Sequence, residues 1–162
     1  MSSDFVVKSL VVVLFTLCAA SGLAQMPNPY GSPISLEDAK KIATPALAEA
    51  RRNNWAVAVA VVDSAGILVY FEKMDNTQIG SADVAIGKAR SAALFKRPTK
   101  AFQDTLAAGG DGFRILGLQG AVPVEGGIPL LIDGKIVDAI GVSGVTSQQD
   151  GQCAKSGAET LK

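Results

Sequence analysis

Apolar residues recur at spacings of three and four in four stretches of this chain, which is the period of an amphipathic helix. In the first stretch, Ser35 is a suitable N-cap, and Asp38 completes a variant of the capping box. Pro98 suits the first turn of a later helix, because its missing N–H would be unpaired there. The predicted helices cover residues 35–52, 79–95 and 98–106, and a terminal segment that begins at Ser147-Gln148-Gln149-Asp150.

The run from Trp55 to Val62 is apolar throughout, which indicates a strand covered on both faces. Trp55 and three valines alternate with three alanines along it. Because successive side chains of a strand point to opposite faces, the alanine face should accept a helix at close range. Residues 63–66 are typical of a turn, and residues 67–73 are predicted to form the hairpin partner.

Residues 117–144 contain three short apolar runs, which predict three further strands. Glu125-Gly126-Gly127 separates the first two runs, and Asp133-Gly134 separates the last two. Asp-Gly between apolar runs is a strong hairpin signal, because both residues tolerate the positive φ of a tight turn. The last strand closes on Gly141-Val142-Ser143-Gly144, whose bare backbone either permits close packing or leaves room for a ligand. Upstream, residues 109–112 are predicted to be a flexible loop.

The order of predicted elements is one helix, two strands, two helices, three strands and one helix. Strands joined by tight hairpins are antiparallel, and helices grouped between runs of strands are typical of an α+β fold. We therefore predict one α+β domain with an antiparallel sheet of about five strands flanked by helices.

The N-terminus has the features of a secretory signal peptide. Lys8 precedes an apolar run over residues 10–20, and small residues lead up to Ala24. The run is too short to span a bilayer, which needs about 20 apolar residues. We expect cleavage of residues 1–24, a proline-rich extended lead-in over residues 25–33, a domain over residues 34–162, and a periplasmic or secreted location. An uncleaved anchor is the alternative.

The charges of the chain balance, with 15 Lys and Arg against 15 Asp and Glu. No basic field is available to hold phosphate backbones or anionic lipid, so nucleic acid is not an expected partner, nor is the membrane after signal cleavage. The chain has no histidine, which excludes Ser-His-Asp and Cys-His nucleophile systems and histidine-ligated metal or haem. Cys18 would leave with the signal, so Cys153 would have no intrachain partner.

Two cationic segments are candidate ligand contacts. Lys88 lies in a predicted helix of small residues, where it is either a structural lysine, an anion contact or a nucleophile of lowered pKa. Three cations lie near a helix start in the segment Lys96-Arg97-Pro98-Thr99-Lys100. Backbone donors at a helix start also favour anions, and a haem propionate is one such anion. An ordinary solvated junction between helices explains the segment equally well. Glu125, beside Gly126-Gly127, is either a ligand contact or a solvated turn residue.

Other candidate groups carry weaker signals. Asp133 and Asp138 differ in strand parity and should face opposite sides of the sheet, so they are not expected to act as a dyad. Tyr70, Met74 and Cys153 could ligate iron, although packing is the ordinary role of Tyr70 and Met74 in such positions, and no metal ligand can be assigned.

Five motifs follow one another along the chain: Lys88-Ala89-Arg90-Ser91-Ala92, Phe95-Lys96-Arg97-Pro98-Thr99, Gly126-Gly127-Ile128-Pro129, Gly141-Val142-Ser143-Gly144 and Gln149-Asp150. Together they resemble the GlcG/HbpS-type haem-binding family, whose domain also forms the C-terminal part of PduO-type corrinoid adenosyltransferases. The resemblance implies a profilin-like α+β fold, a homo-oligomer that is often an octamer, and haem as a ligand. It also implies that Thr99 contacts the haem iron weakly and that Lys88, Arg97 and Gly126-Gly127 line the site.

The chain departs from the family in two respects. Some relatives use histidine toward haem or metal, and Gly151 stands where an acid is expected. Any haem would therefore have an oxygen, lysine or methionine ligand. The leading hypothesis is an exported, non-enzymatic haem- or tetrapyrrole-binding homo-oligomer. The alternatives are a lyase or isomerase for a carboxylate or carbonyl substrate, with Lys88 as base or anchor, and an assembly protein without a small-molecule site.

Overall fold

The computed structural model describes residues 28–161 and orders them as four α-helices, one 3-10 helix and four strands. The helices and strands match the predicted ones in order, with one exception given below. In chain order they are α1 (Leu36–Arg52), β1 (Ala58–Asp63), β2 (Leu68–Lys73), α2 (Ser81–Leu94), α3 (Thr99–Ala107), the 3-10 helix (Gly110–Gly117), β3 (Gly127–Ile132), β4 (Lys135–Ser143) and α4 (Ser147–Ala158).

The four strands form one antiparallel sheet in the order β2-β1-β4-β3. The predicted Asp-Gly hairpin joins β3 to β4, with Asp133 at φ 49° and Gly134 at φ 71°. Because neighbouring strands run in opposite directions, β1 and β3 begin at the same end of the sheet at which β2 and β4 finish. The α+β class and the helix-flanked antiparallel sheet are confirmed.

The two faces of β1 are used as its sequence predicts. Val57, Val59 and Val61 pack into a core shared with α1 and α4. The alanines of β1 pack against the alanines of α2 on the opposite face. This contact is close: a Cβ added at Gly141 of β4 would lie 2.1 Å from the carbonyl oxygen of Ala85. Small side chains therefore let α2 lie almost directly on the sheet.

The strand predicted before Glu125 is absent, so the described sheet has four strands and not five. The glycine-rich stretch predicted as a loop enters the 3-10 helix Gly110–Gly117, and the chain then turns, with Ala121 N donating to the Leu118 carbonyl. Gly120 at φ 86° and Pro123 are incompatible with a regular strand at these positions. Gly126-Gly127 is accordingly not a hairpin turn, and Gly127 opens β3.

Helix caps follow the sequence with two corrections, the first being that Pro98 is the N-cap of α3 and not a residue of its first turn. Ser35 caps α1 by accepting from the Asp38 N–H. The second concerns the terminal helix predicted from Ser147, which is capped by the preceding Thr146, with Gln149 completing the reciprocal capping box. Asp150 lies in the first turn of α4 and takes no part in this capping box.

The described part of the lead-in lies along β4. Tyr30 forms a parallel bridge with Ile136, and Gly31 N donates to the Ile136 carbonyl at 2.8 Å. The signal peptide predicted over residues 1–24 lies outside the described residues. Within the described chain, no helix combines the length and apolar character that a membrane crossing requires.

Candidate functional site

A buried ion pair between Lys88 and Asp150 joins α2 to α4, which cover opposite faces of the sheet. Lys88 Nζ donates to Asp150 Oδ2 at 2.7 Å and to the Val142 carbonyl at 3.1 Å. The two side chains are 1% and 3% exposed. Asp150 Oδ1 also accepts from the Val145 N–H at 3.2 Å. The charged groups therefore have hydrogen-bond partners, as buried charges require.

Burial pushes both partners toward their neutral forms. Desolvation lowers the pKa of Lys88, opposed by the hydrogen bond and charge of Asp150 and by the charge of Glu125. Desolvation likewise raises the pKa of Asp150, opposed mainly by Lys88. Each partner thus stabilises the charged form of the other. Removing one partner would leave the second charge buried without a counter-charge.

Gly126 and Gly127 are required by the path of the lysine. A Cβ at Gly126 would lie 2.9 Å from Lys88 Nζ and 2.6 Å from the Val142 carbonyl oxygen, and Gly126 has φ 126°. A Cβ at Gly127 would lie 2.3 Å from the Lys88 carbonyl oxygen. The glycine pair therefore permits close packing around the lysine.

Thr99 supports the same turn from α3. Its Oγ1 accepts from the Gly127 N–H at 2.9 Å, and its side chain is fully buried. The hydroxyl is therefore occupied in positioning the start of β3.

Glu125 fills the space left by the glycine of α4. A Cβ at Gly151 would lie 2.5 Å from Glu125 Oε1, so a larger residue at position 151 and the observed Glu125 rotamer exclude each other. Glu125 thus occupies the space in which a side chain at position 151 would lie.

A small cavity, the Gly-Gly pocket, opens beside this cluster. Its volume is about 140 Å³. Three of the predicted contacts, Glu125, Gly126 and Gly127, line it, and Lys88 and Thr99 lie behind its wall. Arg97 lies apart: its Nε donates to the Phe95 carbonyl and its guanidinium lies over the Phe102 ring. The full lining is Pro98, Lys100, Glu125, Gly126, Gly127, Ile128, Gly151 and Lys155.

A larger opening, the Met74 groove, lies at the same end of the sheet beside β1 and β2. It comprises two adjoining cavities of about 430 and about 320 Å³ that share Arg51, Met74 and Asp75. The larger cavity is lined by Arg51, Asn54, Trp55, Ala56, Met74, Asp75 and Asn76. The sequence interpretation singled out only Met74 of these residues. The two asparagines in the lining could have indicated the turns that border the groove. This residue type tolerates the left-handed backbone seen at Asn54 (φ 57°) and Asn76 (φ 63°).

The three candidate iron ligands have different surroundings. Burial raises the pKa of the Cys153 thiol to about 12, with the nearby carboxylates adding to the effect. Tyr70 donates its hydroxyl to Glu72 at 2.7 Å, and this hydrogen bond and burial raise its pKa. Met74 is half-buried and lines the groove. Within residues 28–161, no three His, Cys, Asp or Glu side chains are grouped to hold a metal ion.

Asp138 is a second buried carboxyl, and the sequence interpretation did not identify it as buried. It is 0% exposed, and its Oδ1 accepts from the Ile34 N–H at 3.0 Å. Its Oδ2 has no hydrogen-bond partner among the described residues. Burial raises its pKa to about 6, against the hydrogen bond from Ile34 and with a smaller contribution from the charge of Asp63. Asp63 lies opposite it on β1.

The described residues thus form a small α+β domain with a helix-covered antiparallel sheet. The Met74 groove and the smaller Gly-Gly pocket open at one end of that sheet. The profile of the family described as "Haem degrading protein HbpS-like" matches residues 34–159. The chain belongs to this family.

Individual relatives agree with that assignment. GlcG of Escherichia coli K12 is 39% identical over 95 residues, which is 59% of this chain and 69% of GlcG. A double mutant of Streptomyces reticuli HbpS is 29% identical with a TM-score of 0.75, over 96% of this chain and 99% of that one. A PduOC complex with haem has a TM-score of 0.72 over 80% of this chain and 96% of that one; at 23% identity it shows a shared fold.

Proposed function

We propose that this protein is an exported, non-enzymatic haem- or tetrapyrrole-binding protein that acts as a carrier or sensor. The observation that carries the proposal is the family match over residues 34–159, whose description names haem. The HbpS structure and the haem complex of PduOC support it, the latter through the fold alone. The Met74 end of the sheet carries a groove in which Trp55, Ala56 and Met74 lie among asparagines and side chains of both charges.

Hemin titration of the mature chain, residues 25–162, tests binding directly. We expect a saturable change of the Soret band with a defined stoichiometry. Heat-unfolded protein serves as the control, because hemin also adsorbs to exposed apolar surface. A titration of the folded protein that matches this control at every concentration would overturn the proposal.

The predicted contacts are tested with Thr99→Ala and Lys88→Ala. If either residue contacts the ligand directly, its alanine variant should bind hemin more weakly while it remains folded. Circular dichroism of the same samples measures the folded fraction. The geometry also gives both residues a structural role, since each is buried and hydrogen-bonded within the protein. Variants that bind hemin as tightly as the wild type, while folded, would remove Thr99 and Lys88 from the contact set.

Export and lack of turnover are separate parts of the proposal. N-terminal sequencing of the protein from its host should give Gln25, and an intact Met1 would contradict cleavage. Hemin bound to the protein should keep its Soret band in the presence of ascorbate and oxygen. Steady bleaching beyond that of hemin with serum albumin would instead support haem degradation, the activity in the family description.

A homo-oligomer is part of the same proposal. Three large apolar side chains of the segment around the 3-10 helix are exposed, namely Phe113 at 60%, Leu116 at 67% and Leu118 at 45%. Exposed apolar side chains of this size are typical of subunit contacts. Light scattering on the purified protein should give a multiple of the chain mass, which Phe113→Ser with Leu116→Ser should reduce. A monomeric wild type would overturn this part.

The alternative enzyme has one supporting observation, the lowered pKa of Lys88. A lyase or isomerase would need its Nζ to face a substrate, whereas here Nζ contacts Asp150 and the Val142 carbonyl. An NMR titration of ¹⁵N-lysine-labelled protein reports whether Lys88 is neutral near pH 7. A charged Lys88 would remove the general base from this alternative.

A further inference from the structure

Residues 29–34, the N-terminal strap, take the place of β1 beside the start of β4. The last residue pair between β1 and β4 is Asp63 with Asp138, so Ile136 lies beyond the end of β1. On its other side Ile136 pairs with β3. The strap exchanges two backbone hydrogen bonds with Ile136, at 2.8 and 2.9 Å. It thereby satisfies backbone groups of β4 that β1 does not reach.

Few contacts hold the outer part of the strap. The Tyr30 hydroxyl donates to the Ala93 carbonyl at 2.9 Å, and Lys96 Nζ lies 4.1 Å from the centroid of the Tyr30 ring. Pro29 and Pro33 have no N–H to donate. A segment with so few hydrogen bonds opens at a lower free energy than a central strand, so the strap can leave the sheet while the rest of the domain stays folded.

The inner end of the strap covers the carboxyl of Asp138. Ile34 packs against the main core, and its N–H donates to Asp138 Oδ1 at 3.0 Å. Asp138 is fully buried, and its Oδ2 has no hydrogen-bond partner among residues 28–161. Asp63 lies directly opposite on β1, and side chains of an opposed pair share one face of the sheet. A second carboxyl therefore lies close to the first.

No counter-charge offsets this burial. None of the salt bridges within the described residues includes Asp138 or Asp63. The other charged residue of β4 is Lys135, which is exposed, and β3 has no charged residue. The charged side chains of α1 and α4 have partners elsewhere: Glu37 with Lys40, Asp38 with Lys41, Glu49 with Arg52, Arg51 with Glu72, Asp150 with Lys88, and Lys155 with Glu159.

Ionisation of Asp138 places an unpaired charge beneath the closed strap, which is unfavourable. Burial raises its pKa to about 6, against the hydrogen bond from Ile34 and with a smaller contribution from the charge of Asp63. When the strap opens, water reaches the carboxyl and its pKa returns toward 3.8. The closed strap thus holds the proton more tightly than the open one, and closure weakens as pH rises between these two values.

We infer that the N-terminal strap is a pH-sensitive device, closed over β4 while Asp138 is protonated and released as this carboxyl ionises. Release would free the backbone groups of Ile136 and the arm of the chain that precedes α1. The inference does not depend on the proposed function, because it involves neither the Met74 groove nor the Gly-Gly pocket.

Hydrogen exchange followed by NMR tests the inference in the folded protein. The protection factors of the Gly31, Ile34 and Ile136 amides report opening of the strap, after correction for the pH dependence of exchange in unprotected amides. Ala60 in the central strand β1 is the internal reference. We expect the strap amides to be less protected than Ala60. Their protection factors should fall roughly 25-fold between pH 4.5 and pH 7.5, as the two pKa values of Asp138 require.

Three variants separate the switch from the contacts that hold the strap. Asp138→Asn keeps an acceptor for Ile34 and should abolish the fall with pH. Asp133→Asn makes the same change of side chain at an exposed position before β4, and it should keep the fall because it retains Asp138. Tyr30→Phe removes one hydrogen bond and should lower strap protection roughly fivefold at every pH, with the fall unchanged. Circular dichroism shows whether each variant is folded.

Three results would overturn the inference. Constant protection of the strap amides across this pH range in the wild type would show that ionisation does not release the strap. Strap amides as well protected as Ala60 would show that the strap leaves β4 only when the whole domain unfolds. A fall that persists in folded Asp138→Asn would assign the pH dependence to another group. The first two results need only the wild type, so the test does not rely on the folding of a variant.

Discussion

The substitution Asp138→Asn should change how the stability of this protein depends on pH. Asp138 is fully buried on β4, with Oδ1 bonded to the Ile34 N–H and Oδ2 without a partner among the described residues. Burial raises its pKa from 3.8 to about 6. Asparagine keeps an acceptor for Ile34 and does not ionise.

The sign follows from proton binding. Between pH 3.8 and about 6 the folded state holds the Asp138 proton more tightly than the unfolded state, so the free energy of unfolding falls as pH rises through this window. A shift of about two units corresponds to about 3 kcal/mol when complete. About 2 kcal/mol of this develops between roughly pH 4.5 and pH 8. This pH-dependent part is absent from Asp138→Asn, whatever constant offset the amide introduces.

Urea unfolding of both proteins across this pH range is the assay. The difference in free energy of unfolding, variant minus wild type, should grow by about 2 kcal/mol from pH 4.5 to pH 8. Asp75→Asn is the matched control, because it makes the same change of side chain at an exposed position. A pH-independent difference for Asp138→Asn would refute the reasoning and would mean that the carboxylate is ionised and stabilised in the fold.

Three further predictions concern the buried cluster, with urea unfolding as the measurement. Lys88→Met should destabilise the fold by about 3–5 kcal/mol by stranding Asp150, and adding Asp150→Asn should recover part of the loss; a further additive loss would contradict the pairing. Gly127→Ala should destabilise the fold by about 1–3 kcal/mol or more, because the added Cβ would contact the Lys88 carbonyl. In the control Gly117→Ala, the added Cβ meets open space, so the free energy of unfolding should change by no more than about 0.5 kcal/mol. Thr99→Val should cost about 1–3 kcal/mol by leaving the Gly127 N–H unpaired, and Thr99→Ser should not; equal losses would exclude the hydrogen bond as the cause.

Local patterns predicted much of the fold because their physical causes are local. The Asp133-Gly134 hairpin follows from the backbone freedom of two residues, and the two faces of β1 follow from strand alternation. The strand expected before Glu125 shows the limit. Its apolar residues are exposed or half-buried around Gly120, whose positive φ turns the chain. Composition alone did not separate an apolar surface turn from a buried strand.

The candidate site was less predictable, because its contacts join residues far apart in the chain. Lys88 and Asp150 were both visible in the sequence, yet no spacing rule pairs residues of two helices on opposite faces of a sheet. Asp138 looked like one of two strand carboxylates, and only packing shows that it is fully buried. The Arg51 and Trp55 side of the Met74 groove carried no sequence motif.

Local sequence patterns were enough to predict the helices and their approximate limits, the alanine contact between α2 and the sheet, and the absence of histidine chemistry. These features depend on side-chain type and periodicity, which residues close together in the chain determine. The tertiary structure decided that Gly126 and Gly127 make room for a buried lysine, that Thr99 holds a backbone amide, and that the larger opening lies beside Met74. Those outcomes depend on which distant atoms come within a few ångströms of each other, and only the packed chain specifies that.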